Sequence, residues 1–159
     1  MEQAVVTAVT HDTSEAKITV TGVPDEPGIA ARLFRALADR AVNVDTIVQN
    51  VSIHGATDIS FTVPKVDLTA ALAVVEGLAP EIGAGEVLAD DRVAKVSLVG
   101  AGMRSHPGVS ATMFETLARA GINIEMISTS AIRISCVVRD DRVEEAVRLL
   151  HEAFGLSGA

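Results

Sequence analysis

The sequence predicts an α+β fold: two copies of a strand-helix-strand-strand-helix-strand module, each an antiparallel sheet with its helices on one face. Three observations predict it. The chain repeats itself, with Pro27-Gly28 returning as Pro107-Gly108 at an offset of 80. Several short segments alternate apolar and polar residues with the period of a strand, and several longer ones carry apolar stripes at helical spacing.

The repeat is long and ordered, and an internal period of this kind governs the whole fold. At the offset of 80, Ala31 matches Ala111, Phe34 matches Phe114, and Leu37-Ala38 matches Leu117-Ala118. Asn43-Val44-Asp45 then matches Asn123-Ile124-Glu125, and Ile47 matches Ile127. Before the Pro-Gly pair the offset is 78, since Ala16-Lys17-Ile18 answers Ala94-Lys95-Val96, so the second copy has two extra residues in that loop.

Each copy opens with a short strand, 17–23 and 95–100, rich in β-branched residues. Pro-Gly follows at a helix start, where a proline costs nothing because its missing N–H would have no partner there. Ala30, Leu33, Phe34, Leu37 and Ala41 keep helical spacing, as do Ser110, Met113, Phe114, Leu117 and Gly121. A strand pair comes next: 42–53 with 57–63, and 122–128 with 132–138. Ile59, Phe61 and Val63 alternate with Ser60 and Thr62; Ile132, Ile134, Cys136 and Val138 alternate with Arg133 and Ser135. Each reads as a strand with one buried face. The second helix carries Leu68, Leu72, Val75 and Ala79 in one copy, and Val143, Ala146, Val147, Leu150 and Phe154 in the other.

The first copy closes with a strand over 85–90, and the second has no closing strand before the sequence stops. A spare strand stands at the front, 4–9, and an unpaired edge strand is a liability. The economical arrangement lets the front strand complete the second copy's sheet. The domains are then 17–90 for the first module and 1–16 plus 91–159 for the second. The element order is the ferredoxin-like split βαβ arrangement.

Composition narrows the function. Aromatic residues are 3% with no Trp or Tyr, and the net charge is −8. Nucleic acid is held by positive grooves and stacking aromatics, so it is excluded as a partner. The single cysteine, Cys136, excludes an internal disulfide framework and fits a reducing cytoplasm. Met1-Glu2-Gln3 does not open a signal peptide, and no apolar run approaches the roughly 20 residues of a membrane helix. The expectation is a soluble cytoplasmic protein, without membrane contact.

The residues carry a resemblance. They are Pro24-Asp25-Glu26-Pro27-Gly28 with Phe34-Arg35-Ala36-Leu37-Ala38, then Asn43-Val44-Asp45 and Val48-Gln49-Asn50-Val51-Ser52. In the second copy they are Lys95 through Gly108, with Ser105-His106-Pro107-Gly108, and Asn123 through Ser130, followed by Ile132-Arg133-Ile134-Ser135. Over nearly the whole chain this resembles the tandem ACT modules, small amino-acid sensors, of the aspartate kinase C-terminal region. The resemblance implies a non-catalytic chain: the kinase, which phosphorylates the aspartate carboxylate with ATP, precedes these modules in the family. Some members carry the modules on a separate regulatory (beta) subunit made from an internal start. A sequence opening at Met1 just before the spare strand looks like that subunit, and a cloned C-terminal fragment would read the same. The partners implied are a second copy of the chain, a catalytic subunit in a hetero-oligomer, and threonine or lysine as feedback effectors.

A free amino acid brings a carboxylate, an ammonium and a side chain. A helix N-terminus offers unpaired N–H groups and partial positive charge. The loop at Pro27-Gly28 lets a ligand approach the backbone closely. Ile29 and Ala30 are then candidate N–H donors, Asp25 can hold an ammonium or hydroxyl, and Gln49 can donate and accept. The resemblance adds Asn123 and Ile124 to this set. It also implies a second pocket with Met103, His106, Gly108 and Val109, and with Asp45 and Ser130 nearby. Asp25 is answered there by Ser105, so the two pockets are expected to differ in ligand.

Other readings are weaker. Gly100-Ala101-Gly102 opens like a dinucleotide fingerprint, but Ser105 stands where its third glycine would be. His11, His54, His106 and His151 have no metal-ligand spacing, so no metal and no cofactor are expected. His106 lacks a nucleophile partner and reads as a loop or ligand contact, and no catalytic residue is assigned. Cys136 reads as core, and Arg133 as exposed. A sensing subunit for a different biosynthetic enzyme is the main alternative, against which stand Ser105-His106-Pro107-Gly108 and Ile127-Ser128-Thr129-Ser130. An acylphosphatase-like enzyme would need an arginine in a phosphate cradle, and Arg104 has no glycine-rich nest around it.

Overall fold

The computed structural model describes residues 5–103 and 106–156. The chain forms two compact units, Ser14–Asp91 and Met1–Thr13 with Arg92–Ala159. The elements in chain order are β1 (Val5–Asp12), β2 (Glu15–Pro24), α1 (Ile29–Asp39), β3 (Ile47–Gln49), β4 (Ala56–Pro64), α2 (Leu68–Ile82) and β5 (Val87–Asp90). They continue with β6 (Val93–Ala101), α3 (Gly108–Arg119), β7 (Met126–Thr129), β8 (Arg133–Arg139) and α4 (Val143–Ala153). A single 3-10 turn leads into α2 and another into α4.

Both units are ferredoxin-like α+β modules. The Ser14–Asp91 unit has the sheet order β3-β4-β2-β5, and the other has β1-β6-β8-β7. Every pairing is antiparallel. The front strand β1 pairs along β6, from Val5 opposite Ala101 to Asp12 opposite Lys95, and so completes the second module's sheet. Ala4, the first residue expected in that strand, lies outside the described residues.

Each module has its own core. Ile18, Val20, Leu33, Leu37, Ile59, Phe61 and Val75 are buried together in one, and Phe34 meets Phe61 edge-on at 5.3 Å between ring centres. Leu98, Met113, Leu117, Ile134, Cys136 and Leu150 are buried in the other. The buried stripe of α2 is Ala71, Val75, Ala79 and Ile82, which turns the helix relative to the expected Leu68/Leu72 face. In the other module Val143, Ala146 and Leu150 are buried as the spacing predicts.

Three local features depart from the sequence reading. First, the strand expected over 42–53 is ordered as a ladder only at Ile47–Gln49, and that over 122–128 only from Met126. The cause is a bulge in both modules. Asp45 donates its N–H to the Thr62 carbonyl (3.1 Å) while Thr62 donates to the Thr46 carbonyl (3.0 Å), so two residues face one. The Thr46 N–H goes to Thr62 Oγ1 at 3.2 Å. Glu125 likewise donates to the Val137 carbonyl (2.8 Å), although Val137 pairs with Met126.

Second, β8 is buried from Ile134 through Val138, with no alternation, while Ile132 is 61% exposed. Arg133 is exposed, as its polar position predicts. Ser135 tolerates burial because its hydroxyl lies 2.7 Å from Ser97 Oγ. The repeat places Thr19 and Ser60 at the same two positions of the other sheet, hydroxyl to hydroxyl at 2.9 Å.

Third, the two Pro-Gly pairs are out of step by one residue. Gly28 is the N-cap of α1 with φ +92°, whereas Pro107 caps α3 with φ −62° and Gly108 is already helical.

Candidate functional site

In the Ser14–Asp91 unit the C-terminal ends of β2 and β3 and the start of α1 gather at one end of the sheet. The register sets this: Pro24 pairs with Ala56 and Gln49 with Ile59, both on β4. Asp25, Pro27, Gly28, Ala30 and Gln49 are exposed there, with Ile29 half-buried. Gly28 holds a left-handed backbone (φ +92°) with open space where a Cβ would stand. Its carbonyl accepts the Arg32 N–H (3.0 Å), which starts the helix. Of the two expected donors, Ile29 is turned to the Glu26 carbonyl in a long contact of 3.4 Å. Ala30 is in the first turn, where the helix itself supplies no acceptor. The Asp25 N–H is held by the Gly55 carbonyl at 2.9 Å, and the residue is exposed.

In the other unit a cavity of about 290 Å³ is lined by Met103, Pro107, Ser110, Thr129, Ser130 and Ile134. That is close to the lower end of small-molecule sites, roughly 300 Å³. The structure thus brings together Met103 and Ser130 of the expected second pocket. Sequence reasoning did not single out Pro107, Ser110, Thr129 or Ile134 as its walls; the serine and threonine run 128–130 was the available signal. Val109 is 8% exposed and belongs to the core. His106 turns inward on its own loop, with Nδ1 2.6 Å from the Gly102 carbonyl and its N–H on the Met103 carbonyl at 3.1 Å. Asp45 belongs to the Ser14–Asp91 unit, and Asn123 (exposed) and Ile124 (half-buried) to the other. Arg104 and Ser105, the counterpart of Asp25, lie outside the described residues.

A larger hollow of about 560 Å³ lies along the outer face of α1, between Ala31, Arg32, Phe34, Arg35 and Ala38. It offers two guanidinium groups and apolar wall but no carboxylate for an ammonium, so it suits a free amino acid less well. Among the described residues no group of three or more His, Cys, Asp or Glu could hold a metal ion. No helix is long and apolar enough to cross a membrane. The buried Cys136 thiol is pushed up to about 12 by its apolar surroundings.

The pattern of two Pro-Gly helix starts on repeated modules meets its match in known proteins. The model of the ACT domain family matches residues 17–77 and again 96–154. The chain belongs to the ACT domain family. Its two ACT modules are of the aspartokinase regulatory type. The chain is 55% identical to the aspartokinase of Mycolicibacterium smegmatis, over 99% of its own length and 38% of that protein's. It thus spans a little over a third of that curated relative. Among solved structures it is similar to the aspartokinase alpha and beta subunits, at 48% identity and a TM-score of 0.90, covering 96% of this chain and all of that one. It is also similar to the ligand-free regulatory subunit of aspartate kinase from Thermus thermophilus, at 44% identity and a TM-score of 0.89, covering 94% of this chain and 98% of that one.

Proposed function

We propose that this chain is the effector-binding regulatory part of an aspartate kinase, non-catalytic by itself, which binds threonine and feeds the signal to a catalytic partner. The observation that carries the reading is the full-length similarity to aspartokinase regulatory chains, joined to an exposed helix start flanked by Asp25 and Gln49. The effector's carboxylate lies against the α1 N-terminus at Gly28 and Ala30. Asp25 takes the ammonium and Gln49 the hydroxyl. A small floor leaves room for a β-branched side chain, which favours threonine over lysine at this site. The cavity at Met103 and Ser130 is the second effector site; hydroxyl and apolar groups line it where the first site has Asp25, so its ligand differs from that of the first. Asn123 and Ile124 are joined to the Asp25 set by the resemblance alone, and a variant at Asn123 tests that link. Two copies of the chain pair as a homodimer when no catalytic subunit is present. Binding regulates only if the ligand prefers one arrangement of subunits, since equal affinity for both would shift nothing.

Isothermal titration calorimetry of the whole chain tests this. Threonine should bind, valine should bind far less well because the hydroxyl partner is left unsatisfied, and Asp25→Ala should weaken threonine by about 1–3 kcal/mol. Asn123→Ala should weaken it too, and light scattering should show threonine tightening the dimer, as linkage requires. Valine binding as tightly as threonine would overturn the hydroxyl assignment. Phosphorylation of aspartate by the purified chain would overturn the non-catalytic one.

A further inference from the structure

Resting on the effector reading above, a further question is what keeps Asp25 and Gln49, carried on two strands that do not touch, in fixed mutual position. We propose that Asp58 and Asn50 are positioning residues for the Asp25 site, linking β2, β4 and β3 through one chain of side-chain hydrogen bonds.

The chain begins at a bulge. The pairing of β2 with β4 runs from Val20 opposite Ile59 to Val23 opposite Thr57, which leaves Thr21 and Gly22 facing Asp58 alone. Gly22 takes φ +61°, and its N–H donates to Asp58 Oδ1 at 3.1 Å. A bulge bends its strand, and this one re-aims Val23 and Pro24 into the Asp25 loop. Asp58 also faces the other way: its own N–H donates to Asn50 Oδ1 at 3.0 Å. The buried Thr57 hydroxyl donates to the Asn50 carbonyl at 2.6 Å. Asn50 directly follows Gln49. Beyond it the chain makes a tight two-residue turn at His54 and Gly55, both at positive φ, and the Gly55 carbonyl holds the Asp25 N–H. The same short hairpin therefore touches the loop on one side of the site and the strand on the other.

The other module lacks this device. Ser130 stands at the position of Asn50 and Arg133 at that of Asp58, with a hairpin five residues shorter between them. Both modules keep the main-chain bond between these positions, Asn50 N–H to the Asp58 carbonyl at 3.4 Å and Ser130 N–H to the Arg133 carbonyl at 2.8 Å. The Ser130 hydroxyl, however, reaches only within its own turn, to the Ile132 N–H at 3.3 Å and the Arg133 carbonyl at 3.4 Å. A change at Asp58 should therefore alter one class of site.

The test compares the whole wild-type chain with Asp58→Ala and Asp58→Asn by threonine calorimetry, thermal melting and amide hydrogen exchange. Asn keeps an oxygen for the Gly22 N–H. Asp58→Ala should weaken threonine roughly five- to tenfold and speed exchange at Gly22 and Asp25, while Asp58→Asn stays within about twofold of wild type. Asn50→Ala supplies a second break in the same chain, and should reproduce the loss. A fall in melting temperature with threonine affinity unchanged in both Ala variants would overturn the proposal and leave the effector reading standing. So would an Asn variant as weak as the Ala variant. A wild-type chain that binds neither threonine nor lysine would overturn the effector reading, and this proposal with it.

Discussion

At the scale of single residues, the structure separates groups that look alike in the sequence. His106 is spent on the Gly102 carbonyl, whereas Asp25 has its backbone fixed and its side chain exposed. Cys136 is fully buried with its thiol pushed up to about 12 from 9.0. Reactivity needs the thiolate, so a maleimide or disulfide reagent should label Cys136 in native protein no faster than the chain opens, and at once in denaturant. Rapid labelling of native protein at pH 8 would contradict the burial. The linkage has a definite sign. Below pH 9 the thiol is protonated in both states and the shift is without effect. Between 9 and about 12 only the unfolded chain releases the proton, so stability falls as pH rises through that window. The core role of Cys136 was legible from its place in an alternating strand. The burial of its neighbour Ser135 was not, because it depends on Ser97, 38 residues away.

At the scale of elements, the four helices end alike. Each donates an N–H from the first residue beyond its C-cap, or from the cap itself in α2, to a carbonyl three back, and the next N–H to one five back. The pairs include Ala41 to Ala38 with Val42 to Leu37, and Gly121 to Ala118 with Ile122 to Leu117. This is the Schellman motif, which needs one residue with a left-handed backbone. That residue is Gly83, Gly121 or Gly155 in three helices and Ala41, at φ 58°, in α1. A side chain in this region costs about 1–2 kcal/mol, partly offset by the extra freedom that glycine loses on folding. Ala41→Gly should therefore stabilise the protein by about 0.5–1 kcal/mol, read as a rise in the midpoint of urea unfolding. A fall would mean that the Ala41 methyl makes compensating contacts. Helical spacing assigned Ala41 and Gly121 to the apolar stripes. The glycine at the equivalent repeat position was the available sign that the helix had already ended. The shortening of the following strand has the same root: the motif turns the chain, and the bulge at Asp45 and Thr46 delays the ladder until Ile47. Periodicity carries no information about either.

At the scale of the whole chain, one module is written inside the other. The inner unit, Ser14–Asp91, is a continuous stretch with a complete four-stranded sheet and its own core. It should fold when produced alone, with a cooperative melt, though with modest stability at so small a size. The outer unit needs both of its segments, because without β1 the strand β6 becomes an open edge. The piece 92–159 should be aggregated or unfolded. Joining Asp12 to Val93 by a short turn, which makes β1 and β6 a hairpin, should restore it. Circular dichroism and melting curves on the three proteins decide this. A soluble, folded 92–159 would show that β1 is dispensable. The insertion was legible because a strand stood ahead of the first copy with no neighbour to pair with.

The distant pairing of β1 also orders events during synthesis. β1 is made before the strand it pairs with, which begins at Val93. At roughly 5–20 residues per second it waits several seconds before that partner exists. The inner unit is complete by then. Within it β2 and β5 pair with Lys17 opposite Asp90, so its two ends leave side by side. Once folded it acts as a rigid turn, and closing β1 on β6 spans a few residues of effective loop where an unfolded insert would span about 80. On the logarithmic dependence of closure entropy this saves about 2–3 kcal/mol. A variant that unfolds the inner core should therefore slow the outer module's assembly on the ribosome, with β1 left exposed to pair with other chains.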